Sequence, residues 1–323
     1  MTIRLLVSAL CITAGSPVLA WNNRGHMIVA AEAWEHLTPQ TKSAVNLLLR
    51  HNPRYAAWTS GLPSASKARA AFVRAATWPD YIKKAPGYYQ DRLPNAKSAR
   101  NIGYTDCWQH RYWHYKDLAF SPDQTDLLEP GIPNAETQIR MLTSALADPA
   151  LGNDIRSYDL SWLLHIVGDV HQPLHATQRF IASHPQGDGG GNDVKYCLSS
   201  PCEKGSSLHA FWDDAFGNAE DLRSVIQFAH DMAAPAAQDA SSLDPAQWLN
   251  ESFEIAKAKV YQAPIDNTLG PVVLTNAYRV DAAKTATARA SLAGVRLANL
   301  LNSMNLQVQP SAPAAHHCPN NND

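Results

Sequence analysis

The chain has 323 residues, of which 45% are hydrophobic and 17% charged, and its formal net charge is −2. That length is ample for one large core or two modest domains. Lys and Arg are scattered rather than grouped, which excludes a broad basic nucleic-acid footprint, although bound metal ions can supply positive charge for chemistry at a single phosphate group.

The first predicted element is removable. Arg4 precedes an apolar run from Leu5 to Ile12, and "SPVLA" ends at Ala20, the pattern of a secretory leader. Its apolar run is too short for a membrane anchor, and no later stretch offers one. The expected product is exported, secreted or periplasmic, and monomeric without an obligate protein partner. Its first residue is Trp21, with a free α-amine, and loss of Arg4 takes the net charge from −2 to −3.

Apolar residues then recur at helical spacing from Ile28 to Leu37 and from Ala44 to Leu49, punctuated by Thr38 and Pro39. The same spacing runs through 65–76, 135–147, 157–171, 206–216, 220–233, 247–261 and 275–301. Alanine suits helices, and no set of alternating runs is long enough for a large sheet. The prediction is an all-α fold: a single compact helical domain over 21–309 with an irregular tail over 310–323. Loops are expected at the Pro/Gly-rich 85–103, at "EPGIP" (129–133) and at "HPQGDGGGNDVKYC" (184–197). His316 and His317 read as part of a flexible tail. Cys11 leaves with the leader. Of the remaining cysteines, Cys197 and Cys202 are spaced for a small disulfide loop, leaving Cys107 and Cys318 for a long-range pair, though spacing alone does not establish connectivity.

The chemical signal is concentrated in "WLLHIVGDVHQPLH". His165 and Asp169 are four residues apart, so on a helix they project together and can share a metal. Pro173 should break the helix and bring in His175 from the following turn. His171 competes with His175, and spacing does not choose between them. "LHAFWD" repeats the four-residue arrangement with His209 and Asp213. Imidazole nitrogens and carboxylate oxygens suit zinc, which commonly takes four ligands. Polar groups inside apolar runs would cost about 2–7 kcal/mol each to bury without partners, a penalty that coordination removes. "TWPDYIKK" adds Asp80, with Lys83 one turn onward, and "RYWHYKD" adds His114, Tyr115 and Asp117. Trp108 and Trp113 read as core. His36, His51, His110, His184 and His230 lack a comparable carboxylate repeat.

Taken in order, "WNNRGH", "WPDYIK", "WHYKD", "HIVGDVHQPLH", "GDGGGND" and "LHAFWD" resemble the secreted, trinuclear-zinc single-strand nucleases of the S1/P1 type. The motifs span 21–213, and the helical remainder extends the likeness to about 305. The resemblance implies three zinc ions. Asp80, His114, His165 and Asp169 would hold one, with Asp169 bridging to a second held by His26 and by the amine and carbonyl oxygen of Trp21. His175, His209 and Asp213 would hold the third, which favours His175 over His171. It further implies that a hydroxide between two zincs attacks phosphorus in line while zinc stabilises the departing 3'-oxygen. Products would carry 5'-phosphate, and 3'-nucleotides would also be hydrolysed. Asp80, Lys83 and Asp169 would serve catalysis, Lys83 by holding a phosphate oxygen. Tyr115 would stack on an unpaired base of single-stranded DNA or RNA, with Asp117 at its polar edge and Gly190, Gly191 and Asn192 in the pocket wall. Asp214 departs from the uncharged polar residue of many relatives, and the cysteine pair decorates the Gly-rich loop; both bear on substrate preference. Two other readings remain open, a secreted zinc phospholipase C of related fold and a non-catalytic exported zinc-binding module.

Overall fold

Asn22, Thr38 and Asn134 each turn a side-chain oxygen onto a backbone N–H three residues later, at 3.2, 3.1 and 3.2 Å, and so start three of the helices. The computed structural model describes residues 21–91, 99–313 and 318. The leader over 1–20, part of the 85–103 segment, and His316 and His317 lie outside the described residues. In chain order come α1 (Asn23–His36), α2 (Pro39–Leu49), α3 (Tyr55–Thr59), α4 (Ser64–Ala75) and α5 (Trp78–Ile82). Short 3₁₀ turns at Gly103–Thr105 and Arg111–His114 lead to β1 (Leu118–Phe120). Then follow α6 (Ala135–Ala147), α7 (Asn153–Asp169), a 3₁₀ turn at Pro173–Ala176, β2 (Thr177–Arg179), β3 (Lys195–Cys197) and β4 (Ser206–Ser207). The rest comprises α8 (Leu208–Asp213), α9 (Leu222–Asp231), α10 (Ala237–Ala240), α11 (Pro245–Ile255) with a π-helical turn over Ala256–Val260, β5 (Val272–Val273) and α12 (Asn276–Ser303).

The main core forms around α7, which is buried from Arg156 to Asp169 on every face. A helix with no solvent face must be enclosed by others, and α1, α2, α4, α5, α6 and α12 all pack on it. Helix α1 is buried continuously from Gly25 to Ala33 and crosses α12 closely, because a Cβ at Gly294 would lie only 2.5 Å from Glu32 Cβ. A second apolar cluster, built on Leu174, Val194, Trp212, Val260 and Tyr261, supports the Gly-rich loop from the other side.

The all-α expectation is corrected: the domain is mostly helical but contains two small sheets. Strands β1 and β2 pair in parallel, with Leu118 opposite Thr177 and Phe120 opposite Arg179. In the other sheet β3 lies between β4, antiparallel, and β5, parallel. These strands have two or three residues each. Alternation cannot register over so short a span, and pairing arises where loop backbone at the core must satisfy its N–H and C=O groups. Strand β3 accordingly sits inside the segment read as a loop over 184–197. Disulfides join Cys107 to Cys318 and Cys197 to Cys202. No helix among the described residues is long and apolar enough to cross a membrane.

Among the buried acids outside the metal-ligand groups, Asp159 has a distinct effect on stability. Asp159 on α7 is fully buried. Burial pushes its carboxyl up to about 8, while Asn101 and Arg156 pull the other way. A carboxyl raised in the folded state holds its proton there after the unfolded chain has lost it, so stability falls as pH rises from about 4 to about 8. Asp159→Asn should flatten that slope. Urea denaturation of both proteins at the two ends of the window checks this; parallel slopes would refute it.

Candidate metal centre

Five separate pieces of chain converge on the buried end of α7. His26 comes from the first turns of α1, directly after the Asn22 cap, and Asp80 from α5. His114 ends one 3₁₀ turn and His175 lies in the next, while His165 and Asp169 come from α7 and His209 and Asp213 from α8. Three buried groups result, His26–His165–Asp169, Asp80–His114–His165 and His175–His209–Asp213, each offering ligand atoms within 4.8 Å of one another. Asp169 faces two sides at once: Oδ1 is 3.3 Å from His26 Nε2, and Oδ2 is 2.9 Å from His114 Nδ1 and 3.4 Å from His165 Nε2. Asp213 lies 3.5 Å from His209 Nε2 and 3.9 Å from His175 Nε2.

The ring orientations show what these groups fit. The Nδ1 atoms of His165, His175 and His209 sit 2.6, 2.9 and 2.7 Å from the carbonyls of Ala76, His114 and Gly190. A carbonyl can only accept, so each Nδ1 carries the proton and each Nε2 presents a lone pair inward. His175 Nε2 and His209 Nε2 then face each other at 3.0 Å, lone pair to lone pair. His165 Nε2 is 3.0 Å from His114 Nδ1, which also faces Asp169 Oδ2 at 2.9 Å. Both ring nitrogens of His26 and the Nε2 of His114 are buried without a hydrogen-bond partner. Burial pushes His26, His114, His165 and His175 well below the usual imidazole range, so they stand neutral, the ligating form. Burial likewise pushes Asp169 and Asp213 well above the carboxylate range, a direction that a cation would reverse. Neutral imidazoles with converging lone pairs beside carboxylates form a divalent-cation donor set, and N/O ligands suit zinc.

Trp21 is buried, packs tilted against Phe216 with ring centroids 4.8 Å apart and precedes Asn22, whose N–H donates to the Asp213 carbonyl at 3.1 Å. The first described residue is thereby held beside α8 and next to His26. Gly25 makes this fold-back possible, since a Cβ there would lie 2.8 Å from Trp21 Cβ. His171 points elsewhere: Nδ1 donates to Val167 O at 2.7 Å and Nε2 accepts from Arg296 at 3.1 Å. The ambiguity with His175 therefore ends in the geometry. His36, His51, His110 and His184 each pair with a carboxylate outside the three groups.

Two supporting residues lie inside the quoted motifs without having been singled out there. Gln172 donates to Asp213 Oδ1 at 2.7 Å and accepts from Leu174 N–H at 2.6 Å, fixing the carboxylate and the turn together. Asp188 receives the N–H groups of Arg179 and Gly191, each at 3.2 Å, and pairs with the Arg179 side chain. It thereby shapes the loop that delivers the Gly190 carbonyl to His209. Only the position of Gln172 between Asp169 and His175 could have suggested it.

The residues expected at a substrate do not share one place. The buried Lys83 side chain lies 2.8 Å from Asp80 Oδ1, at the metal groups. Tyr115 and Asp117 line one cleft with Tyr112, Pro130 and Asn134. Burial and the Asp188 charge push the Asp117 carboxyl up to about 7. Gly190, Gly191 and Asn192 are not among that cleft's lining residues. Gly190 and Gly191 have φ of +60° and +79°, and a Cβ at Gly190 would lie 2.6 Å from the Leu174 carbonyl, so the loop needs glycine to pass beside His209. Asn192 turns its side chain to the Gly189 carbonyl at 2.7 Å. Asp214 lies on a different groove, beside Asn22 and Asp80.

Close packing around His26 generates a test. A Cβ at Gly168 would meet His26 Nδ1 at 3.0 Å and Cε1 at 3.4 Å. Gly168→Ala should displace the ring and weaken zinc binding by about 10- to 100-fold, the usual effect of disturbing a ligand's support. Chelator competition measures it, with circular dichroism as the check on folding; wild-type affinity would mean that His26 holds no ion.

A model of the family described as S1/P1 Nuclease matches residues 21–305. The chain is 25% identical to "Endonuclease 3" of Arabidopsis thaliana over 92% of its own length and 93% of that protein. It is 26% identical to "Endonuclease 4" of the same plant, over 61% of its own length and 55% of that protein. The match begins at Trp21 and runs through all three buried ligand groups, and the chain belongs to the S1/P1 nuclease family.

Proposed function

We propose that this chain is an exported zinc-dependent endonuclease that hydrolyses phosphodiester bonds of single-stranded DNA and RNA to 5'-phosphate products, with 3'-nucleotidase activity. The observation that carries the reading is the convergence of buried imidazoles on two shared carboxylates, with the lone pairs of His175 and His209 facing each other at 3.0 Å. Family membership and the names of the two plant relatives support the substrate class. In this reading residues 21–309 form one nuclease domain that acts as a monomer.

Nine residues would hold three zinc ions: Trp21 through its main chain, His26, Asp80, His114, His165, Asp169, His175, His209 and Asp213. Zinc bound there would lower the pKa of coordinated water and offset the negative charge of phosphate. The chain's own groups orient the reaction. Asp169 presents one oxygen to each side, and the carbonyls of Ala76, His114 and Gly190 keep three imidazoles in the ligating tautomer. Lys83 holds a phosphate oxygen from its place against Asp80. Tyr115 supplies a ring for an unpaired base, with Asp117 at the edge. The leader matters chemically, because an uncleaved Trp21 nitrogen would be an amide and a poor ligand; the family match starting at Trp21 supports cleavage there.

Exposed Leu127, Leu128 and Ile132, on the segment that also carries Pro130 at the Tyr115 cleft, favour a second reading as a zinc phospholipase C. One experiment separates the two. Protein beginning at Trp21 is given single-stranded DNA, RNA and phosphatidylcholine before chelation, after it, and after zinc is restored, with product ends identified by mass spectrometry. Zinc-restored 5'-phosphate ends with intact lipid are expected. Intact polymers with zinc-loaded protein would end the nuclease reading, and released phosphocholine would put the second in its place. Tyr115→Ala should lower kcat/KM on single strands by roughly 5- to 150-fold, the equivalent of about 1–3 kcal/mol of stacking. An unchanged value would place the base elsewhere.

A further inference from the structure

A groove of about 800 Å³ is lined by Asp80 and shares no lining residue with the Tyr115 cleft. Its volume is in the range of ligand-binding clefts rather than of a single ion. Arg54, which caps α3, Tyr81 of α5 and Lys84 just beyond it line the groove together with Asn22 and Asp214, which flank α1 and α8. The Arg54 guanidinium rests 3.9 Å from the centroid of the Tyr81 ring, which is itself 41% exposed. Lys84 is exposed and directly follows Lys83. Among the described residues, neither Arg54 nor Lys84 forms an ion pair with a carboxylate. By contrast Asp214 already accepts from Asn22 Nδ2 at 2.9 Å.

We propose that this groove carries the continuing strand of a polynucleotide, its phosphates on Arg54 and Lys84, while the base next to the cleaved bond occupies the Tyr115 cleft. The inference rests on the nuclease reading and extends it from a single phosphate to a path. Contact with the Tyr81 ring fixes the guanidinium before substrate arrives, which reduces the ordering cost of binding. Four cations, Arg24, Arg54, Arg74 and Lys84, line the groove against three carboxylates, Asp80, Asp214 and Glu220, and of the cations Arg54 and Lys84 flank the exposed Tyr81 ring where a phosphate can reach them. A few cations gathered at one groove also reconcile strand binding with a chain of net charge −2, because a short path needs no broad basic surface. Asp214 then limits affinity for the polymer from within the groove.

The test is binding by zinc-loaded protein of fluorescein-labelled phosphorothioate oligothymidylates, which resist cleavage and keep the backbone charge. Anisotropy is read across a salt series for a dinucleotide and an octanucleotide. The octanucleotide should bind more tightly. Arg54→Ala and Lys84→Ala should each shrink that advantage and lower the slope of log K against log salt by about 0.7, the loss of one phosphate contact. Arg54→Lys should restore the slope, and Asp214→Asn should tighten octanucleotide binding. Wild-type slopes and length dependence in both alanine variants would overturn the groove. If those shifts occur but unmodified strands are not cleaved, the nuclease reading fails and the groove stands; cleavage without the shifts leaves the nuclease and removes the groove.

Discussion

The lone pairs of the buried His175 and His209 imidazoles, facing each other across 3.0 Å beside buried carboxylates, are the constraint on which the rest depends. Helix α7 has no solvent face, yet it delivers His165 and Asp169 to its buried end. In a low-dielectric interior such groups repel or go unsatisfied unless a cation lies between them. Metal binding and the packing of α1, α5, α7 and α8 are therefore one free-energy problem, since a site assembled from five distant segments scarcely exists in the unfolded chain.

The scaffold meets that problem with backbone. Three main-chain carbonyls, from Ala76, His114 and Gly190, fix the three imidazoles whose Nε2 atoms point inward. Each carbonyl must itself be held. Ala76 ends α4, His114 is tied to the next ligand turn by the Lys116 N–H on the His175 carbonyl at 3.0 Å, and Gly190 is shaped by Asp188 and Arg179. The small parallel sheet serves the same purpose, joining the segment after His114 to the segment after His175. The strands thus belong to the site's support and add little to the core.

A second polar cluster in the interior is settled without metal. Glu251 accepts from Arg289 at 3.1 Å and from Arg296 at 2.6 Å, and Arg296 also reaches His171. This arrangement turns His171 away from the ligand groups although it is only two residues from Asp169. A histidine with a carbonyl on one nitrogen and a guanidinium on the other is fully occupied. His175 has a carbonyl on one side and an open lone pair on the other, which is the physical difference between the two.

The helical framework was legible from residue spacing because long amphipathic or apolar runs repeat every turn, and α1, α2, α6, α9 and α12 lie close to where the spacing puts them. The pairs His165 with Asp169 and His209 with Asp213 were legible for the same reason: one turn of helix brings them together whatever the rest of the chain does. Strands of two or three residues leave no period to read, so the sheets emerged only in three dimensions. So did the grouping of His26, Asp80 and His114 with α7, the choice of His175 over His171, and the separation of Asp214 from the Tyr115 cleft. Those depend on how helices cross and which carbonyl meets which ring. Contacts between residues far apart in the chain have no local pattern, and tertiary packing alone decided them.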